Sequence, residues 1–324
     1  MSNITEEQIE KLVRNEEDEF SIETFRIKYS INPEIPAFYT GFNRLVEKGI
    51  LKRLRRGWYR KVKRIEPITW WDGGDAVGIG IVWPYGIEDD SRFGVTDKAL
   101  MGFDDNIEVF PNDTIVVAGS SNWGKTTFAL NFLVNNLHLF KGVRLMVNEY
   151  KPERFKDRMK RIDWVDYWNA DKPKFELLPV TENHIDHIVP DYLNIIDWLH
   201  ISDELWKVAK HIEDMQMLLR GGINLVVLQK SKDKANAIGG DWPEFFPAVF
   251  FLLDAPGVLT VRKVKSAPSG QVTPQDKRYA YDIIERGSRF HSIREIKVCN
   301  QCWGNKKFKG NECDKCVGKG FVDK

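Results

Sequence analysis

The run Gly119-Ser120-Ser121-Asn122-Trp123-Gly124-Lys125-Thr126 constrains this chain more than any other feature. It fits G-x-x-x-x-G-K-[ST] at every fixed position, and each fixed residue answers a physical need. Gly119 and Gly124 let the backbone bend until its N–H groups converge on an anion. A helix starting just after them aims its positive end at the same point. Lys125 would then reach the outer phosphates of a nucleotide, and Thr126 would hold Mg2+, with Thr127 beside it at the helix start. The flanks agree with this. Residues 114–118 (TIVVA) are a β-branched run ending at a glycine, which predicts a buried strand. Phe128, Phe132 and Leu139 recur at helical spacing over residues 126–139. The alternative is a chance match in a Gly/Ser turn, which does not require a strand before it and a helix after it.

Further apolar runs at 143–147, 192–196, 223–228 and 249–253 predict four more strands, with helical patterning between them, notably over 204–219. Strands alternating with helices predict an α/β core with a mostly parallel sheet covered on both faces. Three polar residues end these runs. Asp197 follows 193–196, where an acid either joins a Mg2+ shell or caps a turn. Glu149 follows 145–148, where a carboxylate either activates a water or faces solvent. Gln229 follows 224–228, where an amide either senses the outermost phosphate or sits in a solvated loop.

This order of phosphate loop, strand-end Glu, strand-end Asp and strand-end Gln resembles the RecA superfamily. The segment from Val147 through Glu149 to Arg158 looks like the part of DnaB-like hexameric helicases in which a catalytic glutamate precedes an amphipathic helix. Residues 195–199 (IIDWL) and 226–231 (VVLQKS) are similar to the family's Asp-bearing and Gln-bearing segments. The resemblance covers about residues 95–290. It implies a RecA-like fold, ATP as the nucleotide, and hydrolysis by Lys125, Glu149, Asp197 and Gln229. It also implies that a basic residue near Arg262, Lys263 and Lys265 reaches the ATP held by a neighbouring copy. A site divided in this way requires a homo-oligomer, either ring or filament. Lys230, Lys232 and Lys234, in the polar stretch after Gln229, would touch DNA by the same resemblance; otherwise they belong to a solvated loop.

Residues 1–64 read as a separate small domain. Three helices are predicted at 5–14, 21–29 and 35–48, then a hairpin turning near Gly57. Three helices and a basic hairpin resemble a winged helix. Lys52, Arg53, Arg55, Arg56, Arg60 and Lys61 concentrate positive charge there, although the formal net charge of the whole chain is only +1. Such a patch suits the phosphates of DNA, single-stranded DNA included; the alternative is a protein-docking domain. Residues 65–94 read as a connector, 95–294 as the ATPase core and 295–324 as a metal-binding tail.

All four cysteines lie in that tail, as Cys299-x-x-Cys302 and Cys313-x-x-Cys316. Two such corners supply four thiolates in tetrahedral array, so a closed Zn2+ ribbon or knuckle is expected. The second corner, with the glycines that follow it, resembles one unit of the DnaJ-type zinc motif. No apolar run approaches the ~20 residues that span a bilayer. The N-terminus is acidic, unlike a signal peptide. A cytoplasmic protein is expected, in the nucleoid or in a phage-infected cell, working beside replication or recombination proteins. The leading expectation is a DNA-dependent ATPase, a DnaB-like helicase. The alternatives are a RadA/RecA-type recombination or repair ATPase and an ATP-switched DNA-binding regulator or loader.

Overall fold

The computed structural model describes residues 4–62, 76–90, 95–100, 105–148, 151–200, 207–231 and 236–324, with only the backbone of 87–90 and 95–100. The chain divides into Met1–Asp75 and Ala76–Lys324.

The first unit holds α1 (Glu6–Arg14), β1 (Glu19–Ser21), α2 (Ile22–Lys28), α3 (Pro36–Glu47), β2 (Leu51–Arg55) and β3 (Trp58–Lys61). Thr5 and Gln8 form a capping box that starts α1, and Pro36 opens α3, where its missing N–H costs nothing. The strands form an antiparallel sheet in the order β1-β3-β2. Gly57, at φ +75°, makes the β2–β3 turn. Ile9, Phe25, Phe38, Phe42, Leu45, Leu51 and Tyr59 make a core that is rich in aromatic contacts.

The second unit begins with β4 (Tyr85–Asp90) and β5 (Val95–Leu100), then β6 (Thr114–Gly119), α4 (Lys125–Asn135), β7 (Val143–Val147) and α5 (Pro152–Met159). A small hairpin of β8 (Trp168–Asn169) and β9 (Lys172–Pro173) leads to β10 (Glu176–Pro179), β11 (Leu193–Asp197), α6 (Val208–Met217) and β12 (Ile223–Gln229). After these come β13 (Val249–Ala255), β14 (Val258–Val264), β15 (Arg278–Ile284) and β16 (Arg289–Val298). The tail adds β17 (Lys307–Phe308), β18 (Asn311–Glu312) and β19 (Phe321–Asp323).

One large mixed sheet organises the unit, in the order β10-β7-β11-β12-β6-β13-β14-β15-β16-β4-β5, with β19 on β16. From β10 to β13 every pairing is parallel. The parallel strands alternate residue by residue between two cores. Ile115, Val117, Ile195, Leu225, Val227 and Phe251 face α4 and α5 through Phe128, Phe132, Phe155 and Met159. Val116, Ala118, Ile196, Val226, Leu228 and Phe250 face α6 through Val208, Ile212 and Met215. This double burial is why these strands read as continuous apolar runs. The expected five strands and covered α/β core are present.

Two boundaries differ from expectation. The helix expected over 126–139 stops at Asn135, because Asn136 turns its amide onto the Val82 and Phe132 carbonyls. Part of the expected connector is built into the larger unit: Trp83 is fully buried, its ring 5.6 Å from Phe132 and 5.4 Å from Phe251. Among the described residues, no helix is long and apolar enough to cross a membrane.

His184, buried on the turn His184–His187, has its pKa pushed down to about 4 by desolvation. The unfolded chain takes up this proton near pH 6.5 and the folded chain only near 4, so stability falls as pH drops through that window. At about 1.4 kcal/mol per pH unit the loss reaches a few kcal/mol. Denaturant titrations from pH 7 to 4 should show this slope, and His184→Gln should flatten it; an unchanged slope assigns the acid sensitivity elsewhere.

Candidate nucleotide site and cysteine cluster

Strand β6 delivers the chain to the loop at Gly119, which is paired with Gln229 of β12 on one side and Leu253 of β13 on the other. A Cβ at Gly119 would lie 2.8 Å from Leu253 Cβ, and one at Gly124 would lie 2.6 Å from Ile283 Cδ1. Gly124 also sits at φ +99° and Asn122 at +64°, so the loop curls through left-handed backbone before α4 begins. Ser121 and Asn122 are exposed at its crest, whereas Ser120 and Lys125 are buried.

Lys125, at the first turn of α4, is 6% exposed. Its Nζ donates to the Ser120 carbonyl at 2.8 Å and to Gln229 Oε1 at 3.1 Å. The end of β12 braces the loop further: Ser120 Oγ donates to the Lys230 carbonyl at 2.8 Å, and Lys230 N–H donates to the Gly119 carbonyl at 3.0 Å. The Lys230 side chain belongs to this site, being 7% exposed with Nζ 5.0 Å above the Trp123 ring. Asp197 ends β11 on the same carboxyl-terminal edge, one strand beyond β12, paired with Val147 at the end of β7 and 5% exposed. Glu149, Lys232 and Lys234 lie outside the described residues.

A wall that the sequence reading did not anticipate closes the other side. It is the β15–β16 hairpin. Buried Tyr281 donates its hydroxyl to the Trp123 carbonyl at 2.7 Å, and burial holds its pKa well above the usual phenol range. Thr127 Oγ1 donates to the Gly287 carbonyl at 2.8 Å, while Arg158 Nη2 of α5 donates to that carbonyl at 2.5 Å and to Thr127 Oγ1 at 3.0 Å. Asn131 Nδ2 donates to the Ser288 carbonyl at 2.9 Å. Between loop and hairpin lies a cavity of about 420 Å³, lined by Asn122, Gly124 to Thr127, Arg158, Ile283, Arg286 and Gly287. Arg158 ends the Val147–Arg158 segment that resembles the helicases, whereas no local sequence signal marks Tyr281 or Arg286.

Arg262, Lys263 and Lys265 are not brought to this cavity. β14 runs antiparallel to β13, so its Val264 end lies beside Val249, at the opposite edge of the sheet. There Lys263 Nζ donates to the Glu244 and Phe245 carbonyls at 2.6 and 2.8 Å, and Lys265 Nζ donates to the Phe246 carbonyl at 3.0 Å. Arg262 lies 3.4 Å from Glu244. Desolvation lowers the Lys263 pKa.

In the first unit, Lys52, Arg53, Arg55, Arg56 and Arg60 of the hairpin are exposed and make no ion pair among the described residues. Lys61 instead turns inward and donates to the Glu16 carbonyl at 2.5 Å. Tyr59 enters the core, whereas Trp58 stays 37% exposed, with the Arg55 guanidinium 4.8 Å from its ring.

The four cysteines converge as their spacing predicts. Their sulfurs all lie within 4.8 Å of one another, with Cys299–Cys313 at 3.9 Å and Cys302–Cys316 at 3.6 Å. All four are buried free thiols. Four sulfurs ~2.3 Å from one tetrahedral ion would be about 3.8 Å apart, so the cluster is compatible with zinc. The Cys302 backbone N–H draws the Cys299 thiol down to about 7, whereas burial pushes Cys313 up to about 11. Thiols this close cannot all ionise without a cation among them. No family model matches the chain, and no curated protein matches it either.

Thr127→Val keeps the shape of the side chain and removes the hydroxyl that joins Gly287 to Arg158. A loss of about 1–3 kcal/mol is expected in denaturant unfolding. An unchanged midpoint would mean that this clamp contributes nothing.

Proposed function

We propose that this chain is an ATP hydrolase of the RecA type that acts on DNA as a motor, in the manner of DnaB-like helicases. The observation that carries the reading is the contact of buried Lys125 with Gln229 inside a glycine-bent loop at the carboxyl edge of a parallel sheet. Ligands of open α/β sheets bind at such an edge. Lys125 exchanges the Ser120 carbonyl for the β- and γ-phosphates. Thr126 and Asp197 hold Mg2+, which offsets the phosphate charge, and Glu149 takes the proton of the attacking water. Gln229, bonded to the ammonium, registers the γ-phosphate and passes its loss to the segment that carries Lys232 and Lys234. A basic residue from a neighbouring copy, drawn from Arg262, Lys263 and Lys265, completes the site in a ring or filament.

The first unit is read as a winged helix whose exposed Lys52, Arg53, Arg55, Arg56 and Arg60 hold nucleic-acid phosphate. Cys299, Cys302, Cys313 and Cys316 are read as a closed structural Zn2+ site with no open position for catalysis.

ATP turnover measured with and without single-stranded DNA, alongside unwinding of a fork, tests the whole reading. Stimulation with unwinding is the expected outcome. Stimulation without unwinding points to a recombination or repair ATPase, and absence of turnover points to an ATP-switched regulator. Lys125→Ala should lower turnover by at least ~100-fold; a variant that retains wild-type hydrolysis removes this residue from the site. Protein purified without chelator should carry one zinc per chain and lose it on Cys313→Ser; a metal-free wild type rules out the zinc reading. Arg53→Ala with Arg55→Ala should weaken DNA binding and flatten its salt dependence by about one to two phosphate contacts. Salt-independent binding would instead mark the hairpin as a protein-docking surface.

A further inference from the structure

Arg286 stands apart from the other residues around the phosphate-loop cavity. The hairpin tip that carries it is fastened at several points. Gly287 and Ser288 carbonyls accept from Thr127, Arg158 and Asn131, and Ser288 Oγ donates to the Arg158 carbonyl at 3.3 Å. Further back, Tyr281 is tied to Trp123, and Ile283 abuts Gly124. Yet Arg286 itself is exposed and makes no ion pair or hydrogen bond among the described residues. Its backbone is left-handed, at φ +52° and ψ +37°, between Glu285 at φ +50° and Gly287 at φ +93°. Non-glycine residues hold this conformation at a cost, and such positions gather where a side chain must be aimed.

The lining of the cavity gives that aim a chemistry. Among the described residues its charged members are Lys125, Arg158 and Arg286, with no carboxylate beside them. Lys125 Nζ is directed toward Ser120 and Gln229, and one Arg158 nitrogen is committed to Gly287 and Thr127. Arg286 is thus, among the described residues, the cation of the wall with no protein partner. Lys125 serves the outer phosphates of a nucleotide. The hairpin is bonded through Gly287, next to Arg286, to Thr127, two residues further along α4 than Lys125; the phosphate next inward from those assigned to Lys125 is therefore the one left for Arg286.

We infer that Arg286 binds the α-phosphate of the nucleotide held by its own chain, as a guanidinium clamp presented by the β15–β16 hairpin. This rests on the nucleotide reading of the Gly119–Thr126 loop and adds a contact from the same subunit, distinct from the neighbour-supplied cation proposed above. A planar guanidinium grips phosphate through two parallel N–H donors, which an ammonium cannot reproduce.

Equilibrium binding of Mg2+-ATP, Mg2+-ADP and inorganic tripolyphosphate to full-length wild type, Arg286→Gln and Arg286→Lys tests it. Arg286→Gln should weaken all three by roughly tenfold, because each carries the inner phosphate. Arg286→Lys should fall between Arg286→Gln and wild type. Unchanged affinities would overturn the inference. A loss confined to ATP, with ADP unaffected, would move Arg286 to the γ-phosphate and overturn it. Weakened ATP and ADP with unaffected tripolyphosphate would assign it to the nucleoside, which also overturns it. Thermal unfolding of the variants at the wild-type temperature excludes misfolding as the cause. A wild type that binds none of the three ligands would instead sink the nucleotide reading itself, and this inference with it.

Discussion

A buried ammonium has few places to go. Lys125 is held almost out of solvent, and an unpaired charge there would cost several kcal/mol or lose its proton. Among its acceptors are the Ser120 carbonyl, from its own loop, and the Gln229 amide oxygen, from a different strand. The second exists only because β12 lies beside β6 with Gln229 opposite Gly119. Shifting that register by one residue would turn Gln229 to the other face and exchange the two apolar sets of β12. The polar contact and the hydrophobic alternation therefore specify the same pairing. The register that sets Val226 and Leu228 against α6 also brings Gln229 to Lys125.

The parallel half of the sheet was legible because its strands are buried on both faces. Residues 143–147 and 223–228 are almost uninterrupted apolar sequence, and no other element of this length tolerates such a run beside turn residues. The four cysteines were legible for a different reason. Two tight corners can satisfy few geometries other than a shared centre, and their sulfurs do converge.

The antiparallel half was not legible. In β14, β15 and β16, residues such as Arg262, Asp282 and Arg294 interrupt the pattern, because these strands cover less of the core. Their pairing depends on partners far along the chain, which local periodicity does not encode. The same limit hid the hairpin wall. Gly287 and Ser288 look like an ordinary turn until Thr127, Asn131 and Arg158 are brought to their carbonyls. Lys230 illustrates the converse: its polar neighbours in sequence suggest a solvated loop, yet burial against Trp123 decides its place.

Strand β16 has a property that neither of its ends reveals alone. It leaves the hairpin at Arg289, next to the Gly287 and Ser288 carbonyls that accept from Thr127, Arg158 and Asn131, and runs for ten residues to Val298, which adjoins Cys299. At ~3.3 Å per residue, the cavity and the cysteine cluster are the two ends of one strut about 30 Å long. β15 and β19 pair along it, and β4 joins it near Phe290, so the strut is stiffened on both sides. The separation of the two centres is set by a hydrogen-bonded ladder rather than by a tether. The ladder is interrupted once, where the β15–β16 register shifts beside Ser292 at φ +51°, so a displacement of the hairpin would meet its softest point there before reaching the cysteine lobe.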